Sequence, residues 1–296
     1  MKYITVTLNP AIDQLYSLQD NFKVGELNRS AKMSEVSYSG KGINVSKELK
    51  RFGIDSKVLC LIGKQNGEEL YNSLVKADLN LFAVWHEGRV RRNVSIVDPS
   101  GKCIEINEPG DEVGLEDVLK FFALYDKTVS EKERKTVIIS GSTPPGFRPD
   151  VYKQLILSAK STGATVILDA DGDLLKYGIE GKPDLIKPNE KELASLTGRK
   201  LSGDDEEVMI SALAAASVIY EKSGVEVLCT LGERGSVFAG KEGKFICPAT
   251  KADAKRFKGA GDVFLARYIY ERNERSAGVF DAMKKASEKT AVYLEK

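Results

Sequence analysis

The chain has 296 residues, 42% of them hydrophobic and 29% charged, a composition that suits a globular protein with a full core. Its 44 Lys and Arg against 43 Asp and Glu leave a formal charge of +1, which gives no footing for nucleic acid or an anionic membrane as a partner. No segment reaches the length of a membrane span, and residues 1–8 are too short an apolar run for a secretory leader. Cys60, Cys103, Cys229 and Cys247 lack paired spacing, so reduced thiols and a cytoplasmic location are expected.

The run of β-branched residues and Leu over 3–8 stops at Asn9-Pro10 and predicts a buried strand. Residues 13–37 carry only short alternating patches and read as irregular or extended. Ser39-Gly40-Lys41-Gly42 then precedes a helix with Val45, Leu49 and Phe52 on one face, and Gly53 stands where a helix-ending glycine belongs. A strand over 57–62, a helix over 68–77 and strands over 81–84 and 94–97 follow. The turn Asp98-Pro99-Ser100-Gly101 returns the chain as a hairpin partner over 103–106.

Helix 115–124, strand 136–139, a Pro-Gly loop over 140–146, helix 151–162 and strand 166–168 lead to Asp169. The short strand Leu185-Ile186 leads to Lys187-Pro188, followed by helices over 189–196 and 206–222 and a strand over 225–230. A hairpin pairs 235–239 with 244–247, and helices over 262–272 and 277–294 finish the chain. Strand and helix alternating this way imply a mostly parallel sheet covered by helices on both faces. Ligands of such folds sit beyond the carboxyl ends of the strands. The loops at Asn9-Pro10, 141–146, 169–172, 187–189 and 230–235 should therefore gather on one rim. Residues of about 14–38 and 89–106 do not alternate with helices and suit a small β-layer attached to a single 1–296 domain.

One histidine, His86, lies between Trp85 and Glu87, so a His-based nucleophile or metal site would have to use it. Chemistry in this chain falls instead to carboxylates, Lys, Arg and backbone amides, with or without a bound metal. The stretch Arg256-Phe257-Lys258-Gly259-Ala260-Gly261-Asp262 runs into the apolar residues 263–266. Small residues there let the backbone approach a ligand at a helix N-terminus, where unpaired N–H groups attract anions. Asp262 is then a candidate general base for phosphoryl transfer, or simply the N-cap of a glycine turn.

With these loops assembled, the chain resembles the ribokinase-like (PfkB) carbohydrate kinase family. The resemblance is to its phosphosugar branch, that of 1-phosphofructokinase and tagatose-6-phosphate kinase. The matching pieces come in order: 7–13, 40–46, 91–94, 105–107, 140–142 with Pro145-Gly146, 187–189 through Glu192-Leu193, Leu231-Gly232 with Gly235, and 259–262. The resemblance implies a three-layer α/β/α fold with a small β-sheet lid. It also implies ATP- and Mg²⁺-dependent phosphorylation of a ketohexose monophosphate. Fructose 1-phosphate comes first as acceptor, with tagatose 6-phosphate and fructose 6-phosphate as close alternatives. Free sugars or nucleosides are a less favoured substrate class, and a non-catalytic sensor is the reading from another class.

On the same resemblance, Asp262 is the base and Gly259, Ala260 and Gly261 form the anion hole. Asp13, Gly40 and Asn44 hold the sugar, and Lys41 and Arg91 take the phosphate it already carries. Asn189 and Glu192 form an Asn-x-x-Glu element tied indirectly to Mg²⁺, a spacing that also makes a helix capping box. Lys187 reaches nucleotide phosphates, while Thr230, Gly232 and Gly235 lie along the ATP. The lids of such proteins often pair between subunits, so a homodimer through the lid is expected. The chain departs from the family pattern at Ser39 and Arg267, where glycine is usual, at Val90, where Thr is usual, and at Phe257-Lys258, where a Thr-Val or similar pair is usual.

Overall fold

The computed structural model describes residues 2–131, 133, 135–253 and 258–295, so Arg256 and Phe257 of the glycine-turn stretch lie outside the described residues. The first half of the chain forms β1 (Tyr3–Thr7), β2 (Ala11–Ser17), β3 (Glu35–Ser39), α1 (Lys41–Arg51), β4 (Ser56–Gly63) and α2 (Glu68–Lys76). It continues with β5 (Asn80–His86), β6 (Arg91–Val97), β7 (Cys103–Asn107), α3 (Leu115–Val129), β8 (Thr136–Ser140) and α4 (Val151–Ser161). The second half adds β9 (Thr165–Asp169), α5 (Gly172–Glu180), β10 (Leu185–Ile186), α6 (Glu190–Thr197), α7 (Asp205–Ser223) and β11 (Glu226–Thr230). It ends with the hairpin β12 (Gly235–Gly240) and β13 (Gly243–Pro248), then α8 (Ala260–Asn273) and α9 (Val279–Leu294).

Nine strands pair in the order β13-β12-β11-β10-β9-β8-β1-β4-β5, parallel throughout except for the antiparallel hairpin at the β13 edge. The two-residue alternation of the strands divides their side chains between two helical layers. Ile4, Val6, Val137, Ile139, Val166, Leu168 and Val227 pack with α3 to α7 on one face. Tyr3, Ile138, Ile167, Leu185 and Leu228 pack with α1, α8 and α9 on the other, and Val58, Cys60 and Ile62 meet α2 there. Burial on both faces explains why these strands read as continuous apolar runs. A buried hydroxyl chain, Thr5 Oγ1 to Ser46 Oγ to Ser56 Oγ at 2.7 Å each, fixes α1 against β1 and β4.

The other sheet has four strands in the order β3-β2-β6-β7 and begins at Ala11, ahead of the position 14 that the sequence suggests. Its central pair β2 and β6 is parallel, with Asp13 opposite Asn93 and Ala11 opposite Arg91. The hairpin β6–β7 forms as its turn residues predict.

Two sequence expectations need correction. Residues 172–180 form helix α5, where the sequence is read as a loop over 169–172 with no helix after it. Gly172 and Gly178 blur its helical pattern, and Gly178 is there for packing, since a Cβ on it would lie 2.4 Å from Leu168 Cδ2. The second correction concerns Asp262. Gly259 is the N-cap of α8 and makes no side-chain cap hydrogen bond, so Asp262 is a residue of the first helical turn and not the cap.

Candidate active site

The carboxyl ends of β9, β10 and β11, the start of α1, the lid strands and the first turn of α8 enclose a cleft of about 950 Å³. That is room for two small-molecule ligands side by side. The loop after β1 closes nearby, where Asn9 Nδ2 donates to Pro109 O at 2.9 Å and to Ser142 Oγ at 3.3 Å. The strand-end loops thus share one rim, as parallel α/β topology requires.

Glycines at the start of α1 are set by packing. Gly40 has φ +156°, and a Cβ there would stand 2.5 Å from Thr7 Cγ2; on Gly42 it would stand 2.6 Å from Thr7 Oγ1 and 2.8 Å from Val6 O. At the preceding position, where the resemblance leads one to expect glycine, Ser39 is half-buried and its Oγ donates to Asp13 Oδ2. From α1, Asn44 Nδ2 donates to Asp262 Oδ2 at 2.8 Å, and Lys41 Nζ lies 3.0 Å from Asp169 Oδ1.

Asp169 organises the centre. Its carboxylate is buried and lies between two ammonium groups, with Lys187 Nζ 3.2 Å from Oδ2. Burial alone would raise its pKa, but Lys187 and Lys41 more than offset that and hold it below the usual carboxylate value. Lys41 shows the reciprocal effect, burial being overcome by Asp169, Glu192 and Asp262 so that its pKa is raised. Lys187 reaches over the glycine turn, where its Nζ would be 3.5 Å from a Cβ on Gly261. Asp169 was not singled out from sequence, although an acid ending the buried strand 165–169 on the ligand side was a usable signal.

Asp262 is 6% exposed. Burial first, and the charge of Asp169 second, raise its carboxyl from 3.8 to about 6, against the opposing pull of Asn44, Lys187 and Lys41. A carboxylate tuned toward neutral pH and placed at a cleft is suited to take a proton from a hydroxyl. The turn before it is held from behind, where Tyr293 OH of α9 donates to Lys258 O at 2.8 Å, and Gly259 adopts φ +83°. First-turn amides of a helix have no intrahelical acceptor and, with the helix dipole, favour an anion at Ala260 and Gly261.

At the other end of the cleft, Arg91 is half-buried, with Nε donating to Asn9 O at 3.2 Å and Nη1 to Glu108 O at 3.3 Å. Burial lowers its pKa, and no carboxylate ion pair is formed by it among the described residues. Asn189 and Glu192 make the expected capping box, Glu192 N to Asn189 Oδ1 at 2.9 Å and Asn189 N to Glu192 Oε2 at 2.8 Å. Glu192 also borders the cleft, and burial raises its pKa. Thr230 and Gly232 line the same cleft beside Arg234.

Two of the sequence candidates do not line the cleft. Gly235 belongs to the hairpin, where a Cβ would lie 2.2 Å from Cys247 O. Asp13 sits behind Ser39, Asn93 and Lys258, all three of which do line it. Val90 packs into the apolar cluster with Ile12 and Ile43. Arg267 points to the back of α8, where its guanidinium stacks 5.1 Å from Phe52 and pairs with Glu271 at 2.6 Å.

The model of the pfkB family of carbohydrate kinases matches residues 6–292. A 1-phosphofructokinase of Bacillus subtilis (strain 168) is 31% identical over 265 residues, 90% of this chain and 84% of that enzyme. A 1-phosphofructokinase of Escherichia coli (strain K12) is 32% identical over 269 residues, 90% of this chain and 82% of that enzyme. Among solved structures, a possible 1-phosphofructokinase of Thermotoga maritima superposes with a TM-score of 0.86 at 28% identity, covering 100% of this chain and 92% of that one. Phosphofructokinase-2 of Escherichia coli in complex with fructose-6-phosphate has the same fold, with a TM-score of 0.87 at 23% identity over 99% of this chain and 93% of that one.

Proposed function

The chain belongs to the pfkB family of carbohydrate kinases, and from that premise we propose that it uses ATP and Mg²⁺ to phosphorylate a ketohexose monophosphate, fructose 1-phosphate before tagatose 6-phosphate or fructose 6-phosphate. The observation that carries the phosphorylated acceptor is Arg91. A half-buried guanidinium held by two backbone carbonyls and facing the cleft is a ready partner for phosphate oxygens. The 1-phosphofructokinases of Bacillus subtilis and Escherichia coli support the choice of fructose 1-phosphate.

In this mechanism the sugar lies between the lid strands and α1, with Asp13, the Gly40 backbone and Asn44 along it. Asp262 accepts the proton of the attacking hydroxyl as the new O–P bond forms. Lys41, which pairs with Asp169, serves the transferred group here instead of the acceptor's own phosphate. With Lys187 and the Gly259, Ala260 and Gly261 amides it meets the charge that spreads over that group, so the protein supplies alignment and fixed electrostatics. Mg²⁺, when bound, neutralises charge on the nucleotide phosphates. Glu192 fits the indirect role, because each of its oxygens accepts one hydrogen bond from Asn189 and keeps lone pairs for water of the cation's shell. Thr230 and Gly232 accompany the nucleotide, with Gly235 shaping the hairpin behind them. Cytoplasmic residence and a homodimer joined through the lid complete the proposal.

The test is an ADP-release assay with ATP and Mg²⁺ across fructose 1-phosphate, fructose 6-phosphate, tagatose 6-phosphate and ribose. The highest kcat/KM is expected with fructose 1-phosphate. Preference for ribose, or no turnover of any sugar phosphate, would sink the assignment.

A further inference from the structure

Asp13 is the sugar-holding carboxylate of the proposed reaction, yet three side chains stand between it and the cleft. Asn93 Nδ2 donates to its Oδ1 at 2.9 Å, Ser39 Oγ donates to its Oδ2, and Lys258 Nζ lies 2.5 Å from Oδ1. Asn93 and Ser39 sit on β6 and β3, the strands hydrogen-bonded on either side of the strand that carries Asp13. Their positions relative to the carboxylate are fixed by the sheet. Lys258 comes from elsewhere, 245 residues away in sequence, on the turn that opens α8. Its side chain is 48% exposed while that of Asp13 is 9% exposed. Of the three partners, the lysine is the one not carried by a neighbouring strand, and its ammonium ends a long, exposed side chain.

We propose that Lys258 is a specificity-determining residue of the acceptor site. Its ammonium holds Asp13 until a sugar hydroxyl takes that oxygen, and then pairs with the phosphate the sugar already carries. A compact charge on a flexible four-carbon stem can make that exchange. A neutral sugar displaces the ammonium from a carboxylate and gives it no anion in return. A sugar phosphate supplies the anion in the same cleft, beside Arg91. Selectivity then comes from both sides, a penalty on the neutral acceptor and a reward for the charged one. Ser39 and Asn93 act as positioning residues that keep the Asp13 carboxylate aimed after the lysine has moved. Lys258 also lies between the lid and the anion-hole turn, with its carbonyl bonded to Tyr293, so the exchange takes place next to the reacting groups.

The inference rests on a phosphorylated acceptor, and the experiment separates the two. Wild type, Lys258→Met and Lys258→Arg are compared for KM and kcat with fructose 1-phosphate, for KM of ATP, and for equilibrium binding of fructose. Lys258→Met should raise KM for fructose 1-phosphate about 10–100-fold, the worth of a charge-assisted bond. Fructose binding should stay equal or tighten, KM for ATP should hold, and Lys258→Arg should recover most of the loss. An unchanged KM for fructose 1-phosphate overturns this inference and leaves the proposed reaction standing. Equal weakening of fructose and fructose 1-phosphate, or a rise in KM for ATP, overturns it as well. Absence of turnover with every sugar phosphate in the wild type overturns both.

Discussion

Asp262 concentrates the conflict between stability and chemistry in one side chain. Its pKa of about 6 means that the folded protein keeps a proton that the unfolded chain has released between about pH 4 and 6. Stability linked to this group is therefore present below about pH 4 and is lost as pH rises through about 6. Above that window the ionised carboxylate costs the fold on the order of 2–3 kcal/mol, at about 1.4 kcal/mol per unit. Asp262→Asn keeps an oxygen for Asn44 and removes the charge. We expect the unliganded variant to melt a few degrees above wild type at pH 7.5 while kcat falls roughly 10²–10⁴-fold. The wild-type kcat/KM should rise with pH and level off above about 6. A variant that melts lower than wild type, or an acid limb near pH 4, would show that burial does not control this carboxyl. Asp169 belongs to the same account, because its charge raises Asp262 while its own charge is held by Lys41 and Lys187.

At the scale of elements, the register of α1 against β1 positions Asn44 and Lys41. Gly42 lets the helix approach the strand closely, since a Cβ would meet both Thr7 Oγ1 and the fixed carbonyl of Val6. Gly42→Ala should cost about 1–3 kcal/mol as the helix backs away. Asn44 then loses its 2.8 Å reach to Asp262, and kcat should fall along with the melting temperature. Loss of stability with full kcat would mean that α1 can shift without disturbing the base. Helix α1 was legible from Val45, Leu49 and Gly53, whereas α5 was not, because two glycines dilute a short amphipathic pattern. The rearward placement of Arg267 was also out of reach of sequence, since Phe52 becomes its neighbour only when α1 and α8 pack, although Glu271, one turn further along α8, is a local partner.

For the whole molecule, the lid sheet has two unlike faces. Asp13, Ser39, Arg91 and Asn93 look toward the cleft, while Val36, Gln14, Val94 and Ile106 form one row on the opposite face beside Ile96 and Ile104. Val36, Ile104 and Ile106 are exposed, and β3 and β7 are open edges. Exposed apolar rows beside unpaired edges favour a second copy of the chain as cover. Light scattering at micromolar concentration should give twice the chain mass of 32.5 kDa, and Ile106→Lys should give that mass itself. A wild type of single-chain mass would remove the lid from assembly.

The sequence by itself determined the alternation of strands and helices, the breaker loops, and the turn that carries Asp262. These are local signals, written in periods of two and 3.6 residues and in Gly and Pro placement. Only the tertiary structure decided that Asp169 sits between Lys41 and Lys187, that Asp13 stands behind Lys258, and that Ser39 is a donor to it. Each of those contacts joins side chains from different elements, separated by 26 to 245 residues for the two on Asp13. Strand pairing and helix packing bring them together, and no periodicity along the chain encodes which distant charge will meet which.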